Sequence, residues 1–131
     1  MGKNEYELIE MFPSSAEEIF DAWLSSEGHS LMTGSPAEVD GSIGGTFRAW
    51  DGYIWGKTLE KDRPHRFLQT WRTSEFPEES PDSRVEILLE KVNNGTKLTL
   101  RHSKIPEGQA DGYKQGWMDF YFKPMREYFG K

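Results

Sequence analysis

An α+β architecture is predicted by three features of the 131-residue chain. A strand-like run leads at once into a capped amphipathic helix. Six alternating or β-branched runs follow, divided by turn chemistry, and a long aromatic helix closes the chain. The predicted order is β-α-α-β-meander-α, carried by a single domain from 1 to 131.

Residues 4–12 (NEYELIEMF) read as the first strand. PSSAEEIFDAWL follows, with Ser14 or Ser15 as N-cap and Glu17 or Glu18 three residues later. That spacing lets a side-chain oxygen satisfy a free helix N–H while the glutamate reaches back to the cap. Ile19, Phe20 and Trp23 fall at helical spacing, and a short second helical turn runs to Met32 before TGSP stops it.

From residue 36 the runs AEVD, GTFRAW, YIWGKTLEK, RFLQTWRT, SRVEILLEKV and TKLTLRHS read as a meander. Their separators, DGSIGG, DG, DRPH, EFPEESPD and NNG, are all loop-forming. NNG between two alternating runs is the clearest hairpin. Val85, Ile87 and Leu89 alternate with Arg84, Glu86 and Glu90, and Leu98, Leu100 and His102 alternate with Lys97, Thr99 and Arg101. One face of this hairpin is therefore dry and the other wet.

The closing helix carries KQGWMDFYFKPMREYF, residues 114–129. At about 100° per residue, Tyr113, Pro124, Trp117, Tyr128 and Tyr121 share one sector. Phe120 borders it, and Met125, Met118, Phe129 and Phe122 continue round to roughly half the circumference. A helix on a flat sheet needs an apolar arc of only about 100° or somewhat more. The surplus calls for a curved sheet that wraps the helix, a small ligand held against it, or another protein. Met118, Phe122 and Phe129, at the far edge of the arc, are the expected partner surface. Pro124 is expected to bend the helix, because it removes one backbone hydrogen bond.

Composition excludes several classes of function. Asp and Glu number 22 against 16 Lys and Arg, for a net charge of -6, with no basic stripe to follow phosphates, so nucleic acid is not an expected partner. There is no cysteine for a disulfide or a thiolate metal site. No segment approaches the roughly 20 apolar residues of a membrane span and the start is not a secretory signal, so a cytoplasmic location is expected, away from membranes. Met1-Gly2 does not open a myristoylation motif, because Tyr6 stands where Ser or Thr is needed. Aromatic residues make up 14% of the chain, a large supply that must be buried somewhere.

Catalytic constellations are not apparent. GKT at 56–58 lacks the first glycine of a phosphate loop, which would fall at Asp51, and DGSIGG precedes no helix start. His29, His65 and His102 lie in separate segments without ligand spacing, and Ser30 lacks the closing glycine of a nucleophile elbow. Neither an enzyme nor a cofactor is indicated. Asn94-Gly95-Thr96 matches a glycosylation acceptor but reads as the hairpin turn.

GGTFRAWDGYIWGK (44–57), TWR (70–72), NGTKLTLRHSKIPEGQ (94–109) and the closing KQGWMDFYFKPMREYF together resemble the domain named for the activator of the ninety-kilodalton heat-shock protein's ATPase, over nearly the whole chain. The resemblance implies the START-like, birch-pollen-allergen-like helix-grip fold. There a curved antiparallel sheet wraps the C-terminal helix, and an apolar cavity often remains between them. In eukaryotic co-chaperones of this kind, a separate chaperone-contacting domain precedes it; these 131 residues include no such half.

Two functional expectations follow. The first is non-enzymatic binding of a small hydrophobic or aromatic molecule between sheet and closing helix. Phe47, Phe67, Trp71, Ile87, Leu100, Trp117 and Tyr121 would line that pocket, with His102 or Gln69 orienting a polar substituent. The second is a chaperone cofactor or stress-response protein that modulates a heat-shock ATPase through Met118, Phe122, Phe129 and the loop at 75–82.

Overall fold

The computed structural model describes residues 4–130. β1 (Tyr6–Phe12) leads into α1 (Ala16–Trp23) and α2 (Ser26–Thr33). The meander then runs β2 (Ala37–Val39), β3 (Thr46–Ala49), β4 (Ile54–Asp62), β5 (Arg66–Thr73), β6 (Ser83–Val92) and β7 (Gly95–Ser103). All seven strands form one antiparallel sheet in the order β1-β7-β6-β5-β4-β3-β2, so the first strand closes against the last. Among the described residues no helix is long and apolar enough to cross a membrane.

Local chemistry accounts for the boundaries. Of the two candidate caps, Ser15 starts α1: its Oγ accepts from Glu18 N at 3.1 Å, and Ser15 N donates to Glu18 Oε1 at 3.3 Å. Ser14 instead donates to the carbonyl of Phe129 at 3.5 Å, tying the end of the chain to its beginning. α2 is capped by Ser25 and ends at Gly34, which takes a left-handed φ of 79°. The β6–β7 hairpin turns through Asn93-Asn94, with Asn94 at φ 68°.

Alternation holds along β6 and β7. Val85, Ile87, Leu89, Leu98, Leu100 and His102 are buried, while Arg66, Glu86, Arg101 and Glu7 form a charged lattice on the opposite face. The β4–β5 pairing shifts register between Thr58 and Glu60. Nearby, a Cβ on Gly56 would sit 2.0 Å from the Thr70 carbonyl oxygen and 2.9 Å from the Phe47 ring. Close strand approach, not backbone conformation, therefore requires this glycine. Gly56→Ala is expected to lower the unfolding free energy by about 2 kcal/mol or more, measured by urea denaturation.

The closing helix is continuous but not uniformly α-helical. α3 (Ala110–Gly116) passes into a π-helical segment (Trp117–Phe122) and then α4 (Lys123–Phe129). Lys123 N–H bonds Met118 O, five residues back. The cause is Pro124, which has no N–H for the Phe120 carbonyl and whose ring would press on it; a wider turn moves the two apart. One extra residue in the turn delays the helical phase by about 100°.

That delay corrects the sequence expectation for Phe122. Expected on an outward partner surface, it is 2% exposed and packs on Phe12 with ring centroids 6.1 Å apart. Phe120 takes the outward position at 57% exposure. Met118 is exposed, and Phe129, also expected on that surface, is half-buried against Phe12.

The helix is held from several sides, as in a helix-grip fold. Phe12 of β1, His102 of β7 and Trp71 of β5 approach it from the sheet, and Trp23 of α1 and His29 of α2 cover it from the other flank. The apolar surplus in the sequence is thus buried partly by enclosure and partly by the π-turn, which moves the later apolar residues onto the inner face.

Candidate functional site

Two buried histidines organise the core on either side of the closing helix. His102 Nε2 lies 2.8 Å from Ser83 Oγ, whose own proton goes to the Trp71 carbonyl at 2.7 Å. Nε2 must therefore carry the ring proton. Nδ1 is then the acceptor for Trp117 Nε1–H at 3.1 Å and Tyr6 O–H at 2.9 Å. Burial pushes the His102 pKa down to about 3.

His29 has the opposite tautomer. Its Nδ1 is 2.9 Å from the Trp23 carbonyl, which can only accept, so Nδ1 holds the proton and Nε2 accepts from Tyr121 O–H at 2.8 Å. Burial lowers its pKa to about 4, partly opposed by the bond to Trp23. Both rings are neutral at pH 7.

Beside these networks lies a cleft of about 440 Å³, within the usual range for small-molecule sites. Tyr113, Trp117, Phe120 and Tyr121 line it from the closing helix, Ile54 and Trp71 from β4 and β5, and Trp50 and Tyr53 from the β3–β4 turn. Gly112 and Gly116 complete the helix wall. A Cβ at Gly112 would meet nothing within 4 Å, and one at Gly116 would meet only the Phe120 ring at 3.9 Å. The missing side chains keep the space open.

Polar groups at the outer wall are committed to one another. Tyr53 donates to Glu75, and Tyr113 donates to Gln109 Oε1 at 2.6 Å while lying 2.7 Å from Thr73 Oγ1. Trp50 differs. Among the described residues, its Nε1 is the buried side-chain polar atom without a hydrogen bond. Trp50, Asp51 and Gly52 are successive left-handed residues at φ 54°, 57° and 84°. For a bulky tryptophan this conformation costs about 1–3 kcal/mol.

Of the residues expected to line a ligand pocket, Trp71, Trp117 and Tyr121 border this cleft. The others face the interior elsewhere. Phe67 packs on Phe20 and Trp23 at centroid distances of 5.6 and 5.7 Å. Ile87 and Leu100 pair across β6 and β7 with no exposure, and Phe47 lies beside Gly56. Gln69 Nε2 donates to Thr58 Oγ1 at 3.2 Å, and His102 is occupied by Tyr6, Trp117 and Ser83. The loop at 75–82 is pinned by Arg72, which donates to the carbonyls of Ser80 at 2.8 Å and Pro77 at 2.7 Å.

Sequence reasoning passed over Trp50, Tyr53, Ile54, Tyr113 and Phe120, with Gly112 and Gly116, as lining residues. The usable sign was WDGY: two aromatics flanking a turn, where neither can enter a strand pair and both can reach over the sheet edge.

A family model described as Activator of Hsp90 ATPase homolog 1-like protein matches residues 13–130. The chain belongs to this family. It is 27% identical over 123 residues to the Activator of 90 kDa heat shock protein ATPase homolog 1 of Homo sapiens, covering 94% of this chain and 36% of that protein. The chain thus spans about a third of the length of the curated relatives it matches. A crystal structure of an HSP90 activator from Plasmodium falciparum superposes with TM-score 0.87 at 29% identity, covering 96% of each chain. The Aha1 dimer from Colwellia psychrerythraea shares the fold at TM-score 0.80 and 17% identity, over 95% of this chain and 96% of that one.

Proposed function

We propose that this family member modulates the ATPase of a ninety-kilodalton heat-shock chaperone through its surface. The observation that carries this reading is the end-to-end likeness to the Plasmodium falciparum HSP90 activator, a chain matched over nearly its full length. The cleft lining holds no carboxylate, lysine or histidine. Met118, exposed on the closing helix, is the apolar contact that best fits this role.

The test is the steady-state ATPase rate of the purified chaperone titrated with this chain. Saturable stimulation is expected, and Met118→Glu should weaken the half-maximal concentration by about tenfold or more if Met118 sits at the contact centre. An unchanged rate at saturating concentrations would end this reading.

A second reading has its own support in the open aromatic cleft: a small apolar aromatic molecule held between β5, the β3–β4 turn and the closing helix. Titration with 2-isopropylnaphthalene should shift the indole N–H signals of Trp71 and Trp117 in proton–nitrogen NMR spectra. Gly116→Leu should abolish those shifts, because the added side chain takes the ligand's space. It should also stabilise the fold by up to about 1 kcal/mol, since leucine favours helix over glycine. Ligand shifts that persist in Gly116→Leu would place binding elsewhere.

A further inference from the structure

Seven of the ten residues around the cleft are aromatic, and none of the ten carries a charge. Their rings are not parallel. Trp71 meets Tyr113 at 79° with centroids 5.0 Å apart, Trp117 meets Tyr121 at 51° and 4.8 Å, and Trp50 meets Phe120 at 64° and 5.6 Å. Rings set at such angles surround a rounded group from several directions, whereas two parallel walls would suit only a flat one.

The electrostatics of these walls favour positive charge. An aromatic ring carries negative potential on its face and attracts a cation within about 6 Å of its centroid. Glu75 adds a full charge at the rim. Tyr53 donates to its carboxylate, its N–H donates to Thr73 Oγ1 at 3.1 Å, and its carbonyl accepts from Gln109 Nε2 at 3.0 Å. No Lys, Arg or His pairs with Glu75 among the described residues. Burial is the main cause of the raised Tyr113 pKa, opposed by the bond to Thr73, and the Glu75 charge raises it further, so that field reaches the cleft wall. An anion would meet no counter-charge there. A primary ammonium would bring three N–H donors to walls built mainly of rings, losing hydrogen bonds to water that rings do not replace. A quaternary ammonium brings the charge without the donors.

We propose that the cleft holds a small apolar molecule by a quaternary ammonium head, with the ring walls and Glu75 as its counter-charge. This rests on the ligand reading of the cleft and adds the charge of the ligand. Sequence reasoning placed the polar contact at His102 or Gln69, but both are bonded within the core. Phe120 and Glu75 take that part and set the preference for a cation.

The experiment titrates the full chain with benzyltrimethylammonium and with neopentylbenzene, which differ only in the exchange of N⁺ for carbon. The Trp71 and Trp117 indole N–H signals report binding in NMR spectra. The cation should bind tighter by about 5–30-fold, the range for cation–ring attraction in a partly closed site. Phe120→Leu should lower the cation-to-hydrocarbon affinity ratio by about 3–10-fold, and Glu75→Gln by about 2–5-fold. Both positions are exposed, so neither substitution disturbs the core. A hydrocarbon that binds as tightly as the cation would overturn the charge preference and leave the cleft as an apolar site. A ratio unchanged in both variants would also overturn it, because a chain of net charge -6 attracts cations elsewhere on its surface. Failure of both compounds to move either indole signal would remove the ligand reading itself.

Discussion

Trp117→Ala is expected to lower the unfolding free energy by about 3–5 kcal/mol, the range for truncating a buried tryptophan. Trp117 is 3% exposed, with ring centroids of Trp71 at 5.6 Å and Tyr121 at 4.8 Å. It also supplies one of the two protons shared by His102 Nδ1. Trp117→Phe separates the two contributions: most of the apolar contact survives and the N–H is lost, for an expected cost of about 1–2 kcal/mol. Urea denaturation of the three proteins measures both. A loss below about 1 kcal/mol for Trp117→Ala would mean that the sheet does not grip the helix at this point.

Stability is also expected to fall steeply as pH drops from about 6.5 toward 4. His29 and His102 have folded-state pKa values lowered to about 4 and about 3 by burial, against 6.5 for an unperturbed imidazole. Above pH 6.5 neither ring binds a proton in either state, and both contribute in full. Below 6.5 the unfolded chain takes up two protons that the folded chain excludes. Each costs about 1.4 kcal/mol per pH unit, so together they remove roughly 3 kcal/mol per unit until His29 begins to protonate in the fold. Protonating His102 is costly for a definite reason: Trp117 Nε1 is only a donor and would face a second N–H. Denaturation midpoints between pH 7.5 and 4.5 check the slope. Imidazole NMR signals for His29 or His102 that titrate near 6.5 would contradict it.

Much of this was legible in the chain because local rules set it. Residues 66–73 and 83–92 were read as strands at the bounds the structure has, because alternation and loop-forming separators act over neighbouring residues alone. The N-cap was narrowed to Ser14 or Ser15, and packing chose between them, since Ser14 is drawn to the end of the closing helix. The inward direction of His102 was legible from its position after Leu98 and Leu100, whereas its partners were not. Tyr6 and Ser83 come from other strands, and strand pairing brings them to the ring.

The closing helix marks the boundary. Its oily girth was apparent from periodicity, and so was the disturbance at Pro124. A wheel drawn at constant pitch could not show that a π-turn would absorb the proline, so Phe122 was placed outside and Phe120 at the border, the reverse of what the fold does. Element order, the dry and wet faces and the need to enclose the last helix were all legible in the chain, because each follows from contacts between near neighbours. Tertiary structure alone decided which aromatics fill the core and which border open space. That choice depends on the phase of one helix turn and on how close strands, turn and helix approach, distances that no local pattern encodes.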